Sequence, residues 1–597
     1  MDEFELAKTL FLEGSRFLEE KRYEEAENKL RESLSLIPDR ISILTNLSAA
    51  LIKQGKLHEA KQLTEKTISI DANTEEAWLN YGLIFVEESN YPEAIKCFDK
   101  ALNIKPDYVE AWLNKGASLL KVDRIEETLV CYEKAESINP GYDYLFGKLL
   151  HTRMQICDWN NLDTSFSELT ARIQHGEKAA TPFSVLGFTS SPELQRKAAE
   201  IWFQHQYPTK HPSNSIAKYT RKNRIRIGYY SADYRNHAMA YLMAQLYESH
   251  DREKFELIAF SFGPDNNDEM RQRLTASFDK FIDVGLKSDK DIAQMSRDME
   301  IDIAIDLMGF TVHSRPGIFS ERAAPLQVNY LGYPGTMGAD YIDYLIADTI
   351  LIPQCNQQYY SEKIVYLPNS YQVNDSKRRI SEKVFTREEL GLPASGFVFC
   401  CFNNNYKITA AAFDGFMRIL KQVPDSVLWL LEGNSNAVEN LKQEAMKRGI
   451  SAERLVFAKR LPLDEHLARH RLADLFIDTL PYNAHTTASD ALWAGLPVIT
   501  CQGEAFASRV AASLLNAIDL PELVTLNQQE FETLAIELAT NPVKLEKIKD
   551  QLKQNRLTKP LFDTTLFTRH LEAVYTAIYE RYQSGLSPEH IYLDVVN

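Results

Sequence analysis

The stretches EAWLNYGLIFVEESNYPEAIKCFDKALNIKPDY (76–108) and EAWLNKGASLLKVDRIEETLVCYEKAESINPGY (110–142) are two copies of one pattern, offset by 34 residues. The same register runs back to the start of the chain. Gly14, Ser48, Gly82 and Gly116 share one position, Ala26, Ala60, Ala94 and Thr128 a second, and Pro38, Ala72, Pro106 and Pro140 a third. A fixed period of this length marks a stacked repeat. Each copy reads as two antiparallel helices, with small residues where the helices approach closely. Trp78, Trp112, Phe98 and Tyr132 fill the space between copies, and proline stops the second helix.

Over residues 7–142 this pattern resembles the tetratricopeptide family, in four units. A repeat surface of that kind holds extended peptides, supports a homo-oligomer, or serves as a spacer, and it carries no chemistry by itself. After Pro140 the repeat fades into YDYLFGKLLHTRMQICDWNNLDTSFSELTARI, still helical by its apolar spacing. A break is expected at HGEKAATPFS, then a helix PELQRKAAEIWFQHQ, then a polar linker TKHPSNSIAKYTRKNR (209–224). The repeats are therefore assigned to 1–142 and a helical linker region to 143–222.

From residue 224 the period changes. RIRIGYY, FELIAFSF, DKFIDV, DIAIDLMGF, QVNYLGYPG, DYLIAD and KIVYLP are short apolar runs separated by helical stretches, which predicts a parallel sheet in an α/β layer fold. The charged segment SKRRISEKVFTREELGLPASG precedes a second set: FVFCCFN, SVLWLLEG, RLVFAKR, LADLFIDT and PVITCQG. The boundaries follow as 223–380 for one Rossmann-like half and 381–597 for the other, with the C-terminal helices counted in the second. A cleft between two such halves is the expected ligand site.

Composition limits the function classes. The 597 residues suggest about four units at ~150 residues each. With Lys+Arg 67 against Asp+Glu 83 and a net charge of -16, the chain has no basic surplus for tracking a nucleic-acid backbone. The seven cysteines show no CxxC spacing, which argues against a disulfide framework. The opening MDEFELAKTL lacks the basic and apolar regions of a secretory signal, and no apolar run approaches the ~18 residues of a membrane span. A cytoplasmic location is the expectation.

Loops at the strand exits carry the polar candidates. GYYSADYRNH places Asp233 and His237 after the first strand, and LGYPGT places Gly332, Pro334, Gly335 and Thr336 on a turn open to close approach. CFNNNYKI brings Asn403, Asn404 and Lys407, and LPLDEHLARH brings His466 and Arg469. PYNAHTTASDALWAGLP sets His485, Thr486, Thr487 and Asp490 at a helix start that ends by Gly495. Each has a plain alternative. Thr487-Ala-Ser-Asp490 is also a capping-box pattern, a lone histidine after a strand is often a cap, and a lone lysine is a solvated charge. A helix start equally offers unpaired N–H groups suited to a diphosphate.

LGYPGT, FNNNYKI, PDSVLWLLEGN, DEHLARHRLADLFIDTLPYNAHTTASDALWAGLPVIT and FASRVAASLL together resemble the catalytic region of the O-GlcNAc transferase family, including its bacterial and SPINDLY-type relatives, over roughly 224–585. The resemblance implies a tetratricopeptide solenoid followed by a two-Rossmann (GT-B) catalytic region and inverting transfer of a sugar from a nucleotide to a protein side chain. It implies Lys407 at the donor diphosphate, and His485, Thr486 and Thr487 holding that diphosphate at the helix start. Asp490 falls to the ribose, His466 and Arg469 to the nucleoside pocket, and His237 to the cleft as a candidate base. Gly335, Thr336 and Asn404 complete the donor side. Asn404 and Leu463 differ from the glutamine and lysine of the animal enzymes, and the histidine of PYNAHTT differs from the fucosyl-transferring plant relatives.

No metal site or cofactor is expected, since a lysine and a helix N-terminus can stabilise a leaving diphosphate. Asp289-Lys290-Asp291, the sole Asp-x-Asp match, follows Ser288 and reads as a charged helix cap. The leading expectation is a protein glycosyltransferase using UDP-GlcNAc on Ser/Thr hydroxyls, with the acceptor protein held by the repeats. The alternatives are a UDP-glucose-dependent protein glucosyltransferase, a nucleotide-sugar epimerase, and a non-enzymatic repeat scaffold.

Overall fold

The computed structural model describes residues 3–207 and 216–593. It divides into two compact units, Met1–Thr152 and Arg153–Asn597. In the first unit the helices Glu3–Glu19 and Tyr23–Leu36, Ile41–Lys53 and Leu57–Ile70, Glu75–Glu87 and Tyr91–Ile104, and Val109–Lys121 and Ile125–Ile138 form four antiparallel pairs. The glycine position is explained by close approach: a Cβ on Gly82 would lie 2.4 Å from the Phe98 ring, and one on Gly116 2.6 Å from the Tyr132 ring. Ser48 fits the same position by bonding its hydroxyl to Thr64 Oγ1 at 2.7 Å. Trp78 and Trp112 repeat one hydrogen bond, from Nε1 to the carbonyls of Ala72 and Pro106, both at 2.9 Å.

Proline is not required for the second helices to stop where they do. All four end two residues before the shared position, at Leu36, Ile70, Ile104 and Ile138, although Ala72 stands there in the second repeat.

In the second unit two parallel sheets carry the fold. The first contains β1 (Ile225–Ser231), β2 (Phe255–Ser261), β3 (Lys280–Asp283), β4 (Ile303–Asp306), β5 (Leu326–Asn329), β6 (Tyr344–Asp348) and β7 (Lys363–Leu367). The second contains β8 (Val398–Cys401), β9 (Val427–Leu431), β10 (Leu455–Ala458), β11 (Leu475–Ile477), β12 (Val498–Cys501) and β13 (Val524–Thr525). A last strand, β14 (Ile591–Tyr592), pairs with β7, giving the orders β14-β7-β6-β5-β4-β1-β2-β3 and β10-β9-β8-β11-β12-β13. Both sheets reverse direction once, between β1 and β4 and between β8 and β11, the arrangement in which ligands sit outside the carboxyl ends at the reversal. Near-continuous apolar strands such as FELIAFS, buried along its whole length, are what a sheet covered on both faces requires.

Two assignments made from the sequence change. Residues from Arg153 onward are no linker: Leu186, Ala199 and Phe203 share a core with Tyr230, Phe260, Tyr333 and Tyr482. Of the polar linker expected over 209–224, residues 209–215 lie outside the described ones. The helix Thr564–Gln583 and β14, counted with the second half, return to the first. The helix packs on Ala238–Ser249, β5 and β7, because its face of Leu571, Val574, Tyr575 and Ile578 is fully buried there. All seven cysteines are unpaired, and among the described residues no helix is long and apolar enough to cross a membrane.

Candidate functional site

The reversal point of the second sheet gathers a set of buried polar side chains. β8 runs out into Phe402–Thr409 and β11 into Asp478–His485. Asp478, at the exit of β11, is 4% exposed and anchors both loops. Its Oδ1 accepts from the backbone N–H of Thr479 (2.7 Å) and Ala484 (2.6 Å) and from Asn403 Nδ2 (3.2 Å), and its Oδ2 from Thr500 Oγ1 (2.7 Å). Asn403 also donates to Thr479 Oγ1 at 2.9 Å and accepts from Thr487 Oγ1 at 2.6 Å. One carboxylate thus ties β8, β11, β12 and the helix Thr486–Ala494 together.

Lys407 lies on the short turn Asn405–Lys407 and is buried. Its Nζ donates to the carbonyl of Asn483 at 2.9 Å and sits 3.7 Å from the centroid of the Tyr482 ring. Burial pulls its pKa below the ordinary lysine value, while Asp478 and Cys401 pull it back up. Burial raises Asp478 in turn. This is a cation held ready by a carbonyl, a ring face and a nearby carboxylate, the reverse of a solvated surface charge.

The helix Thr486–Ala494 starts beside it, with His485 at the N-cap and no side-chain cap bond, and ends at Gly495, whose φ of 89° suits glycine. The capping-box alternative for Thr487 and Asp490 is excluded, because Thr487 bonds Asn403 and Asp490 bonds elsewhere. His485 Nε2 donates to the carbonyl of Ala507 (3.1 Å), and burial, then Lys407, push its pKa well down, so the ring is neutral. Asp490 accepts at Oδ1 from Arg378 Nη1 at 2.5 Å, an ion pair that is buried on both sides.

Around the helix Leu463–Arg469 the two expected residues differ in access. Arg469 is 1% exposed; it lies over the Phe402 ring at 4.6 Å and bonds His466 Nδ1 at 2.5 Å. Arginine only donates, so His466 accepts at Nδ1 and carries its proton on Nε2. Burial, with His470 and Arg469 beside it, keeps it neutral. Arg469 orients and His466 is the partly exposed group. Asn404 is exposed at the start of the Lys407 turn.

The first half contributes less than expected. His237 caps the helix Ala238–Ser249: its Nδ1 accepts from Met239 N–H at 3.3 Å and lies 3.4 Å from Asp233 Oδ2. Burial lowers its pKa against the pull of Asp233. In the LGYPGT turn, a Cβ on Gly332 would fall 1.9 Å from the Leu307 carbonyl, which explains the glycine. Gly335 and Thr336 are buried, and the Thr336 hydroxyl is consumed: it donates to Glu362 Oε2 (2.6 Å) and accepts from Gly338 N–H (3.1 Å). The Thr336 hydroxyl is thus engaged within the fold. Asp289 pairs with Arg315, and Ser288 caps Asp291, as the helix-cap reading requires.

Sequence reasoning missed Asp478, Thr479, Tyr482, Asn483 and Arg378. A polar residue directly after an apolar strand, as in LFIDT, is the signal that Asp478 offered; Arg378 was hidden in a charged segment.

Comparison with known proteins agrees with this layout. The model of glycosyl transferase family 41 matches residues 197–384 and 380–571, and repeat models match 17–80 and 82–123. A protein of Arabidopsis thaliana named "Probable UDP-N-acetylglucosamine--peptide N-acetylglucosaminyltransferase SEC" is 35% identical over 463 residues, 74% of this chain and 47% of that protein. The UDP-N-acetylglucosamine–peptide N-acetylglucosaminyltransferase of Caenorhabditis elegans is 26% identical over 566 residues, 73% of this chain and 49% of that one. The chain thus spans about half the length of the curated relatives it matches. Among solved structures, a mutant of Thermobaculum terrenum O-GlcNAc transferase superposes with a TM-score of 0.66 at 25% identity, covering 91% of this chain and 98% of that one.

Proposed function

The chain belongs to glycosyl transferase family 41, and from that premise we propose that it moves N-acetylglucosamine from UDP-GlcNAc to serine or threonine hydroxyls of protein acceptors. The observation that carries the reading is Lys407, a buried ammonium beside an uncapped helix start at the reversal point of the second sheet. When an acceptor hydroxyl oxygen bonds to the anomeric carbon, giving its proton to the leaving diphosphate or to solvent, and the sugar–phosphate bond breaks, negative charge grows on the diphosphate. Lys407 and the first N–H groups of Thr486–Ala494 are placed to neutralise it, and such preorganised donors act mainly in the transition state. His466 and Arg469 would hold the base, Asp490 the ribose, and His485 and Thr487 the shape of the phosphate loop. No step is routed through a metal or cofactor. The repeats, a unit without chemistry, would hold the acceptor chain, and the cytoplasm is the compartment in which such an enzyme and its acceptors would meet.

Two features support the donor assignment. The relatives' names specify UDP-N-acetylglucosamine, and the intact Lys407–Asp478–Asn403–Thr487 network is more than an inert scaffold needs. The test is incubation of the full chain with UDP-GlcNAc, UDP-glucose and GDP-fucose and a protein acceptor. UDP release with a mass gain of one N-acetylhexosamine on the acceptor is expected from UDP-GlcNAc. Faster transfer from either other donor would overturn the sugar assignment, and no turnover with any would overturn the activity.

A further inference from the structure

The Lys407 ammonium is gripped by neutral groups. One N–H goes to the Asn483 carbonyl at 2.9 Å. Asp478 acts on it through charge and not through a hydrogen bond, because four other donors already fill the carboxylate oxygens. The contact that stands in for a second acceptor is the Tyr482 ring, whose centroid lies 3.7 Å from Nζ. The face of an aromatic ring is negative and attracts a cation, most strongly where water is kept out.

That ring is buried and held in one orientation. Tyr406, on the Lys407 turn, meets it edge-on with centroids 6.1 Å apart and planes at 68°. Phe183, from the short helix Pro182–Val185, does the same at 6.5 Å and 66°, and the His485 ring packs on it at 4.9 Å. Of the titratable groups around Nζ, Asp478 supplies negative charge. Burial keeps the Cys401 thiol and the Tyr406 and Tyr482 hydroxyls protonated and His485 neutral.

A carboxylate in contact with the lysine would cancel the charge that a leaving diphosphate needs. A ring face favours the ammonium over the amine and leaves its charge in place. We propose that Tyr482 is a positioning residue for Lys407, its ring face keeping the buried ammonium protonated and aimed without neutralising it. The proposal rests on the reading of Lys407 as the lysine of the donor diphosphate and deepens it, by naming what keeps that cation charged before the donor arrives.

The experiment is the pH dependence of UDP affinity, by calorimetry, and of kcat/KM for sugar transfer, on the full chain in the wild type, Tyr482→Phe and Tyr482→Leu. Both quantities should fall as Lys407 loses its proton, below the usual lysine range. Tyr482→Leu should move that fall to lower pH by about half a unit to one and a half units, the size of a lost cation–ring contact. Tyr482→Phe, which keeps the ring, should leave it in place. The fall in kcat at saturating donor should move less, because the bound diphosphate then holds the ammonium. If the leucine variant does not fold, phenylalanine at 482 carrying one, two or three fluorines serves instead: the shape is kept, the negative face is withdrawn, and the fall should step to lower pH with each fluorine. A fall unmoved in Tyr482→Leu or across the fluorinated series, or moved as far by Tyr482→Phe as by Tyr482→Leu, overturns the proposal and leaves Tyr482 as packing. A wild type that binds no UDP overturns the reading of Lys407 itself and takes this inference with it.

Discussion

The two sheets share one topology and differ in what they place at the reversal point. At the exits of β8 and β11 a carboxylate organises its neighbours: Asp478 takes four hydrogen bonds, and the loops it fixes present a buried ammonium. At the exits of β1 and β4 the carboxylate Asp306 binds the N–H groups of Met308 and Gly309 through Oδ1, while Oδ2 has no partner, and burial lifts its pKa to about 6. Among the described residues no cation opposes that rise, whereas the Lys407 charge opposes it at Asp478. Burial lifts Asp478 to about 6 as well, so the two carboxylates differ in the hydrogen bonds that fill both oxygens of Asp478 and in the Lys407 charge beside it. Strand order fixes where a site can be, and the side chains at the exits decide what it does.

The largest test of that contrast is removal of the cation. Lys407→Ala should lower kcat by about two to three orders of magnitude, with a smaller change in donor affinity. Wild-type turnover by the folded variant at saturating donor would erase the distinction between the halves. Asp478→Asn should be milder, about tenfold in kcat, because asparagine can still accept the Thr479 and Ala484 N–H groups. Its decisive readout is pH. Burial depresses the Lys407 pKa and Asp478 raises it, so the ammonium is lost as pH rises through a value below the usual lysine range. Without the Asp478 charge that value drops further, and the alkaline limb of kcat/KM should move to lower pH. A pH profile superimposable on the wild type would mean that Asp478 only shapes the loop.

The smallest expected effect is in the first half. His237→Asn keeps a side chain suited to the N-cap while removing the imidazole. The Met239 N–H can only donate, so Nδ1 accepts, and the neutral ring holds its proton on Nε2 with its lone pair engaged at the cap. Turnover should fall less than tenfold. A hundredfold loss, measured alongside an unchanged melting temperature, would return His237 to the chemistry and bring the two halves closer in kind.

Much of this was legible in the residues. The 34-residue register gave the helix pairs, and apolar runs marked twelve of the strands, because both signals are local and periodic. Lys407, His485, Thr487 and Asp490 were visible through their placement at strand exits. Other features were not legible, for identifiable reasons. The apolar face of Thr564–Gln583 says that one side is buried, without naming the sheet that buries it. The two-residue strands β13 and β14 are too short to show alternation. Thr336 looks like a ligand residue until Glu362, 26 positions on, is seen to take its proton. Arg378 and Asp490 are 112 positions apart, and nothing local in a charged segment distinguishes a buried arginine from a solvated one.

The return of the C-terminal segment has a consequence for how the protein is made. Helix Thr564–Gln583 covers β5 and β7, and β14 completes the edge of the first sheet, yet both follow the whole second sheet in the chain. During synthesis the first half therefore leaves the ribosome with its β7 edge unpaired and an apolar face bare. That face stays so until about two hundred further residues are added, at ~5–20 residues per second. The second half, whose strands β8 to β13 are contiguous, can close as soon as it emerges. The half that is begun first is finished last, and the interval is when its open edge is exposed to wrong partners.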